Sequence, residues 1–282
     1  MEDSEVVLDE ALQLGDESRW QEMAELLSRH ISNTPDDEDP YLLCWLGVAE
    51  REMGNEGAAY DAFKRCVAAQ PLDPYVLALA GSGLAAFDDP DAEPTLRAAA
   101  LTAPDNAFTR LQYGAYLARE GMHVEALDHL RAAASLEPED PIILGELGIA
   151  HALAGDMSNA SESLESALEL APDDSWTRTI LGLIHVERGD MERAAEELLR
   201  AAEERPDDGE AQVLTALAAA AAGWDGPAAD AIARAEYSAE SVDSTLLDEA
   251  REKTEEGPEA ARELLTTTLA PSALHDRLHQ PL

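Results

Sequence analysis

A chain of 282 residues with 45% hydrophobic content can bury a substantial core, yet it carries 59 acidic against 19 basic side chains, a net charge of −40. With no basic patch to displace counterions, direct nucleic-acid binding is disfavoured. Two cysteines do not make a disulfide scaffold, and the longest apolar run, Val213 to Trp224, is too short to span a bilayer.

The opening Met1-Glu2-Asp3-Ser4 is acidic and lacks the basic start of a secretory signal, so a cytoplasmic protein with reduced thiols at Cys44 and Cys66 is expected. Residues 1–39 read as a diverged first repeat whose second helix, near Trp20 to His30, stops before Pro35. From residue 40 to 208 one pattern is written five times. Gly47, Ala59, Phe63, Cys66 and Pro71 are followed by Gly81, Ala92, Leu96, Ala99 and Pro104. The marks recur at Gly114, Ala126, Leu130, Ala133 and Pro138, at Gly148, Ala160, Leu164, Ala167 and Pro172, and at Gly182, Ala194, Leu198, Ala201 and Pro206. A fixed period of this length means stacked repeats in a solenoid. Residues 209–242 keep the register through Ala216, Ala228, Ile232 and Ala235 but lack the closing proline. Residues 243–270 read as a capping helix pair broken at Gly257-Pro258, with Glu249, Arg251, Glu252, Lys253, Glu255 and Glu256 as its polar face. The tail, 271–282, has no strong signal and reads as either a short helix or a disordered end.

Each copy holds two apolar-periodic segments too long for strands and poor in β-branched residues, which predicts a pair of helices. Gly155-Asp156 and Gly189-Asp190 join the two helices of a pair, the glycine ending one helix and the aspartate capping the next. Asp39-Pro40, Asp73-Pro74 and Asp140-Pro141 begin new pairs, with proline at the first helical position. Glycine within a helix costs about 0.5–1 kcal/mol relative to alanine, so its recurrence at 47, 81, 114, 148 and 182 predicts close helix packing there.

Leu147-Gly148, Ala160, Leu164, Ala167 and Pro172 within one period resemble the tetratricopeptide repeat family, and the resemblance covers roughly residues 4 to 242. It implies an all-α, right-handed superhelical α-solenoid of tandem helix-turn-helix repeats. The chain departs from the family at Arg110 and Arg178, where an apolar residue is common, and at His151 and His185, where an aromatic is usual. In that family the second residue of each first helix, and those one and two turns on, look into a concave groove. Here that face is Tyr41, Cys44, Val48 and Arg51, then Tyr75, then Phe108, Leu111 and Arg119, then Ile142 and Ile149, Trp176 and Leu183, and Val213. The expectation is an apolar stripe that binds a peptide segment or a partner helix. The competing expectation, that these residues pack between neighbouring helices, stays open. The family's carboxylate clamp for peptide C-termini is missing.

Acids spread over every repeat, with only Lys64 and Lys253 as lysines, resemble the composition of halophilic archaeal proteins. In a high-salt cytosol carboxylates keep a hydrated surface, and a Debye length of about 3 Å at 1 M salt screens their repulsion. Two further functions remain: a self-assembling homodimer joined through the same stripe, or an acidic decoy that captures basic proteins. No nucleophile motif, paired catalytic carboxylates, cofactor site or metal site is expected, so the chain reads as no enzyme. Gly81-Ser82-Gly83 imitates a dinucleotide fingerprint but falls on the repeat glycine of a helix. His275 and His279 stand four apart without a third ligand, and Asp88, Asp89, Asp91 and Glu93 read as a solvated acidic turn.

Overall fold

The computed structural model describes residues 2–31, 39–238 and 242–280, and among them the chain is helical with no strand. The expected stop at Pro35 lies outside the described residues. Helices come in successive pairs: α1 (Glu2–Asp16) with α2 (Trp20–His30), α3 (Pro40–Glu52) with α4 (Glu56–Ala68), and α5 (Pro74–Ala85) with α6 (Ala92–Thr102). Then follow α7 (Ala107–Arg119) and α8 (His123–Leu136), α9 (Pro141–Leu153) with α10 (Met157–Leu170), α11 (Ser175–Glu187) with α12 (Met191–Glu204), and α13 (Gly209–Ala221) with α14 (Asp225–Tyr237). The chain closes with α15 (Ser244–Glu256), α16 (Pro258–Leu264), a π-helical turn at Leu265–Leu269, and α17 (Ala270–Leu278). Two compact units result: residues 1–120 with 128–136 form most of the first, and 121–127 with 137–280 the second.

The ends of the helices follow the local chemistry of the sequence. Asp39, Asp73 and Asp140 accept the backbone N–H of Tyr41, Tyr75 and Ile142, each with a proline at the first helical position. Gly155 and Gly189 both adopt φ +79°, the left-handed conformation that lets α9 and α11 stop, and Asp156 and Asp190 then cap α10 and α12.

The repeated glycine marks where two helices of a pair meet. A Cβ placed on Gly148 would lie 2.7 Å from Leu164 Cγ, and one on Gly114 or Gly182 2.8 Å from the Cγ of Leu130 or Leu198. The Gly81-Ser82-Gly83 sequence has the same origin within α5. Gly81 faces Leu96, and Gly83 is pressed against the Phe63 ring, so both glycines serve packing.

The C-terminal segment differs from an end cap followed by a tail. After Gly257, whose φ of +116° suits only glycine, one helical run continues to Leu278. It turns back onto α13, α11 and α9, the first helices of their pairs. Leu264, Leu265, Ala270, Ala273, Leu274 and Leu278 are buried in the same core cluster as Ile180, Leu183, Val213 and Leu217. Apolar burial explains the return, since α17 would otherwise leave this row of side chains in water.

Candidate docking face

The second residue of each first helix lies two positions after its N-cap, which is Asp39, Asp73 and Asn106 for the three first helices α3, α5 and α7. In the first unit this gives Tyr41, Tyr75 and Phe108. Tyr41 is 38% and Tyr75 40% exposed, while Phe108 is half-buried. Tyr75 stacks on Phe108 with ring centroids 4.5 Å apart, and on Trp45 at 6.5 Å. The Tyr41 hydroxyl donates to Asp73 Oδ2 at 3.2 Å. These contacts make a fixed aromatic ridge, with the Asp39 and Asp73 carboxylates alongside. Partial burial, and then for Tyr41 the Asp73 carboxylate, push both phenols above their ordinary range.

Positions one and two turns further along are placed differently. Cys44, Val48, Leu111, Ile149, Leu183 and Val213 are all buried, so they do not stand open to a ligand. In the first unit the first helices of adjacent pairs, such as α3 and α5, touch. In the second, Ile149, Leu183 and Val213 share a core cluster with Leu264, Leu265, Leu274 and Leu278 of the C-terminal helices. Cys44 packs with Leu43, Phe63 and Val76, and its thiol reaches the Val76 carbonyl at 3.8 Å. The neighbouring Cys66 side chain, and then burial, hold the Cys44 thiol well above its usual range, which makes it an inert core group. Both cysteines are free. The two cations, Arg51 and Arg119, are half-buried. Arg51 lies 3.9 Å from Glu52, and Arg119 donates to the Ala115 carbonyl at 3.2 Å.

In the second unit the equivalent ridge is Ile142, Trp176 and then Glu210, 34 residues beyond Trp176. Ile142 is 59% exposed. Over the other two lies α17. The Arg277 guanidinium stands 5.7 Å from the centre of the Trp176 ring and 3.6 Å from Glu210 Oε1, and Nη1 also donates to the Ala273 carbonyl at 3.0 Å. The ridge thus holds a helix of the same chain by ring, carboxylate and apolar contact together. Sequence reasoning did not foresee the return of this helix onto the first helices. Its one signal was the apolar set Ala270, Ala273, Leu274 and Leu278 at helical spacing.

The remaining charged residues are structural. Arg178, at a position where apolar residues are common, is buried, donates to Glu197 at 2.7 Å and binds the Pro172 carbonyl. Arg110 does the equivalent with the Pro104 carbonyl at 2.5 Å. Each arginine ties the loop before its helix to the core. Asp89 was expected in a solvated turn, yet it is buried, accepting from the Tyr60 hydroxyl at 2.8 Å and from Lys64 Nζ at 3.0 Å. Lys64 also reaches Asp91 at 2.7 Å. His151 and His185 are interior, and burial pushes the His185 imidazole below its ordinary value. His275 and His279 place their rings 4.2 Å apart on the surface of the C-terminal helix. Among the described residues no group of three metal-ligating side chains converges, and no helix is long and apolar enough to cross a membrane.

The Tetratricopeptide repeat family model matches residues 117–175 and 151–220. Residues 117–220 are thus similar to tetratricopeptide repeats. The same helix pairing on both sides of that stretch makes the described chain a tandem array of tetratricopeptide-like pairs, and proteins built from such repeats are generally protein-interaction scaffolds. Solved structures agree in fold. The Cut9-Hcn1 hetero-tetramer of the APC/C is similar with a TM-score of 0.67 at 17% identity, over 85% of this chain and 48% of that one. The pilF protein of Pseudomonas aeruginosa gives 0.60 at 18% identity, covering 76% of this chain and 96% of its own. A thermophilic tetratricopeptide protein of Thermus thermophilus gives 0.50 at 26% identity, covering 69% and 98%. No curated protein matches the sequence.

Proposed function

We propose that this protein is a non-catalytic cytoplasmic scaffold that docks a peptide segment or partner helix on the faces of its first helices. One observation carries the proposal. The ridge position that seats α17 in the second unit is open at Tyr41 and Tyr75 in the first. An aromatic ladder held by stacking and by the Tyr41–Asp73 hydrogen bond loses little conformational freedom when a partner arrives, so more of the contact energy remains as affinity. Exposed rings in a row are a common mark of a binding surface. The groove in this proposal is narrower than the full apolar stripe. It comprises Tyr41, Tyr75 and Phe108 of the first unit.

The test is capture of the native partner from the protein's own cytosol by a Tyr41→Ala/Tyr75→Ala/Phe108→Ala variant whose far-ultraviolet circular dichroism is unchanged. Capture should fall at least tenfold. Undiminished capture by the folded variant would end the proposal. Repeating the wild-type experiment in molar KCl separates the apolar face from an acidic decoy. Stacking contacts survive screening, whereas capture of basic proteins by net charge falls away.

A further inference from the structure

We propose that the open ridge of the first unit takes an arginine-bearing amphipathic helix, with the guanidinium laid over the Tyr41–Tyr75–Phe108 rings beside the Asp39 and Asp73 carboxylates. This rests on the docking function above and names the chemistry of its occupant.

The second unit shows how such a ridge is read. Trp176 and Glu210 occupy one helix position in adjacent repeats, and a single arginine of α17 engages both, 5.7 Å from the ring centre and 3.6 Å from the carboxylate. Around that arginine, Ala273, Leu274 and Leu278 are buried. The resident helix therefore offers one cation and a flat face of alanine and leucine.

The first unit presents the same two recognition elements, ring and carboxylate, with the Tyr41 and Tyr75 rings uncovered. Tyr41 and Tyr75 are each exposed by more than a third. Asp39 and Asp73 are held in place by capping, since Oδ1 of each accepts the N–H of the tyrosine two residues on. Asp73 Oδ2 also takes the Tyr41 hydroxyl, which brings a carboxylate to the edge of the ladder. A carboxylate oxygen keeps further acceptor capacity after one such bond.

Charge complementarity gives the sign of the partner. On a chain of net charge −40, a cationic occupant is favoured over an acidic one. Arginine suits the ridge better than lysine. Its planar, weakly hydrated guanidinium stacks on a ring while its N–H groups reach a carboxylate, whereas ammonium is a strongly hydrated point charge.

The probe is a synthetic labelled peptide of residues 258–280, titrated against the full chain by fluorescence anisotropy. Saturable binding is expected, together with two losses. Tyr75→Leu/Phe108→Leu in the protein keeps apolar bulk but removes the rings, and should weaken binding about tenfold or more. Arg277→Gln in the peptide should weaken it about fivefold.

Saturable binding that ignores Arg277→Gln but needs the rings overturns the arginine assignment and leaves the docking face intact. Binding that is lost with Trp176→Ala in the protein, and kept with the ring-to-leucine variant, overturns the placement. That result would mean the peptide exchanges with the resident α17 instead. Absence of binding up to millimolar peptide overturns the inference outright, while the docking function is still decided by the partner-capture experiment with the alanine variant.

Discussion

The two units carry the same ridge in two states. In the first, Tyr75 stacks on Phe108 and on Trp45, Tyr41 is tied to Asp73, and Tyr41 and Tyr75 face solvent in part. In the second, a helix from the same chain lies against the ridge at Trp176 and Glu210. The helical pairing is alike in both, and the ridge position follows an N-cap aspartate or asparagine in each. What differs is the segment after Gly257, which supplies apolar surface to one unit. A repeated surface thus acquires distinct roles according to what chain lies next to it. The repeat alone does not tell the two apart.

The largest effect that would break this contrast is unseating α17. Leu274→Asp places a charge in the core cluster and removes a buried leucine, a change of about 2–5 kcal/mol for the lost side chain alone. Amide exchange should accelerate across residues 258–278 and leave α3, α5 and α7 unchanged. Protection that persists at 258–278 would show that the covering helix is held by something other than this core.

Next in size is Gly148→Leu, which forces atoms into space held by Leu164 and the Ala160 backbone. It should cost about 1–3 kcal/mol or somewhat more and lower the melting temperature by several degrees. An unchanged melting temperature would refute the assigned helix packing. Loss confined to the second unit, with the Trp45 environment intact in near-ultraviolet circular dichroism, would sharpen the comparison.

Arg277→Gln is milder. It removes the guanidinium from Trp176 and Glu210 but keeps the leucines, so about 1 kcal/mol is expected. Exchange should rise in α17 alone, without loss of helicity. No change in exchange would mean that apolar burial alone seats the helix.

The smallest effect concerns the first unit and pH. Burial raises the Asp89 carboxyl, but the Asp91 backbone N–H, the Tyr60 hydroxyl and Lys64 outweigh it and hold the group below the usual carboxylate range. Because the folded value lies below the unfolded one, the stabilisation is present above about pH 4. It disappears as pH falls through the depressed folded value. Asp89→Asn should flatten that part of the acid-unfolding curve, and an identical curve would show that the buried carboxylate contributes nothing there.

Much of the local architecture was legible because it depends on neighbours in sequence. Asp-Pro and Gly-Asp pairs specify helix ends through hydrogen bonds spanning two or three residues. The recurrent glycine could be read as a close approach because the cost of glycine in a helix demands compensation by contact. Burial along the first helices was less legible. Cys44, Val48, Leu111, Ile149, Leu183 and Val213 share a face with the ridge in projection, but all are buried: α3 and α5 touch in the first unit, and in the second the returning C-terminal helices pack on α9, α11 and α13. The arginines at 110 and 178 looked like departures, and only the carbonyls of Pro104 and Pro172, six residues upstream, explain them.

By itself, then, the sequence determined the helical pairing, its period, its caps and the rings at the second position of successive first helices. Each of these is set within one repeat by hydrogen-bond reach and side-chain volume. Tertiary structure alone decided which rings remain open and which are covered. Covering Trp176 requires residues about a hundred positions later, and such a contact forms only because α17 has an apolar face to remove from water.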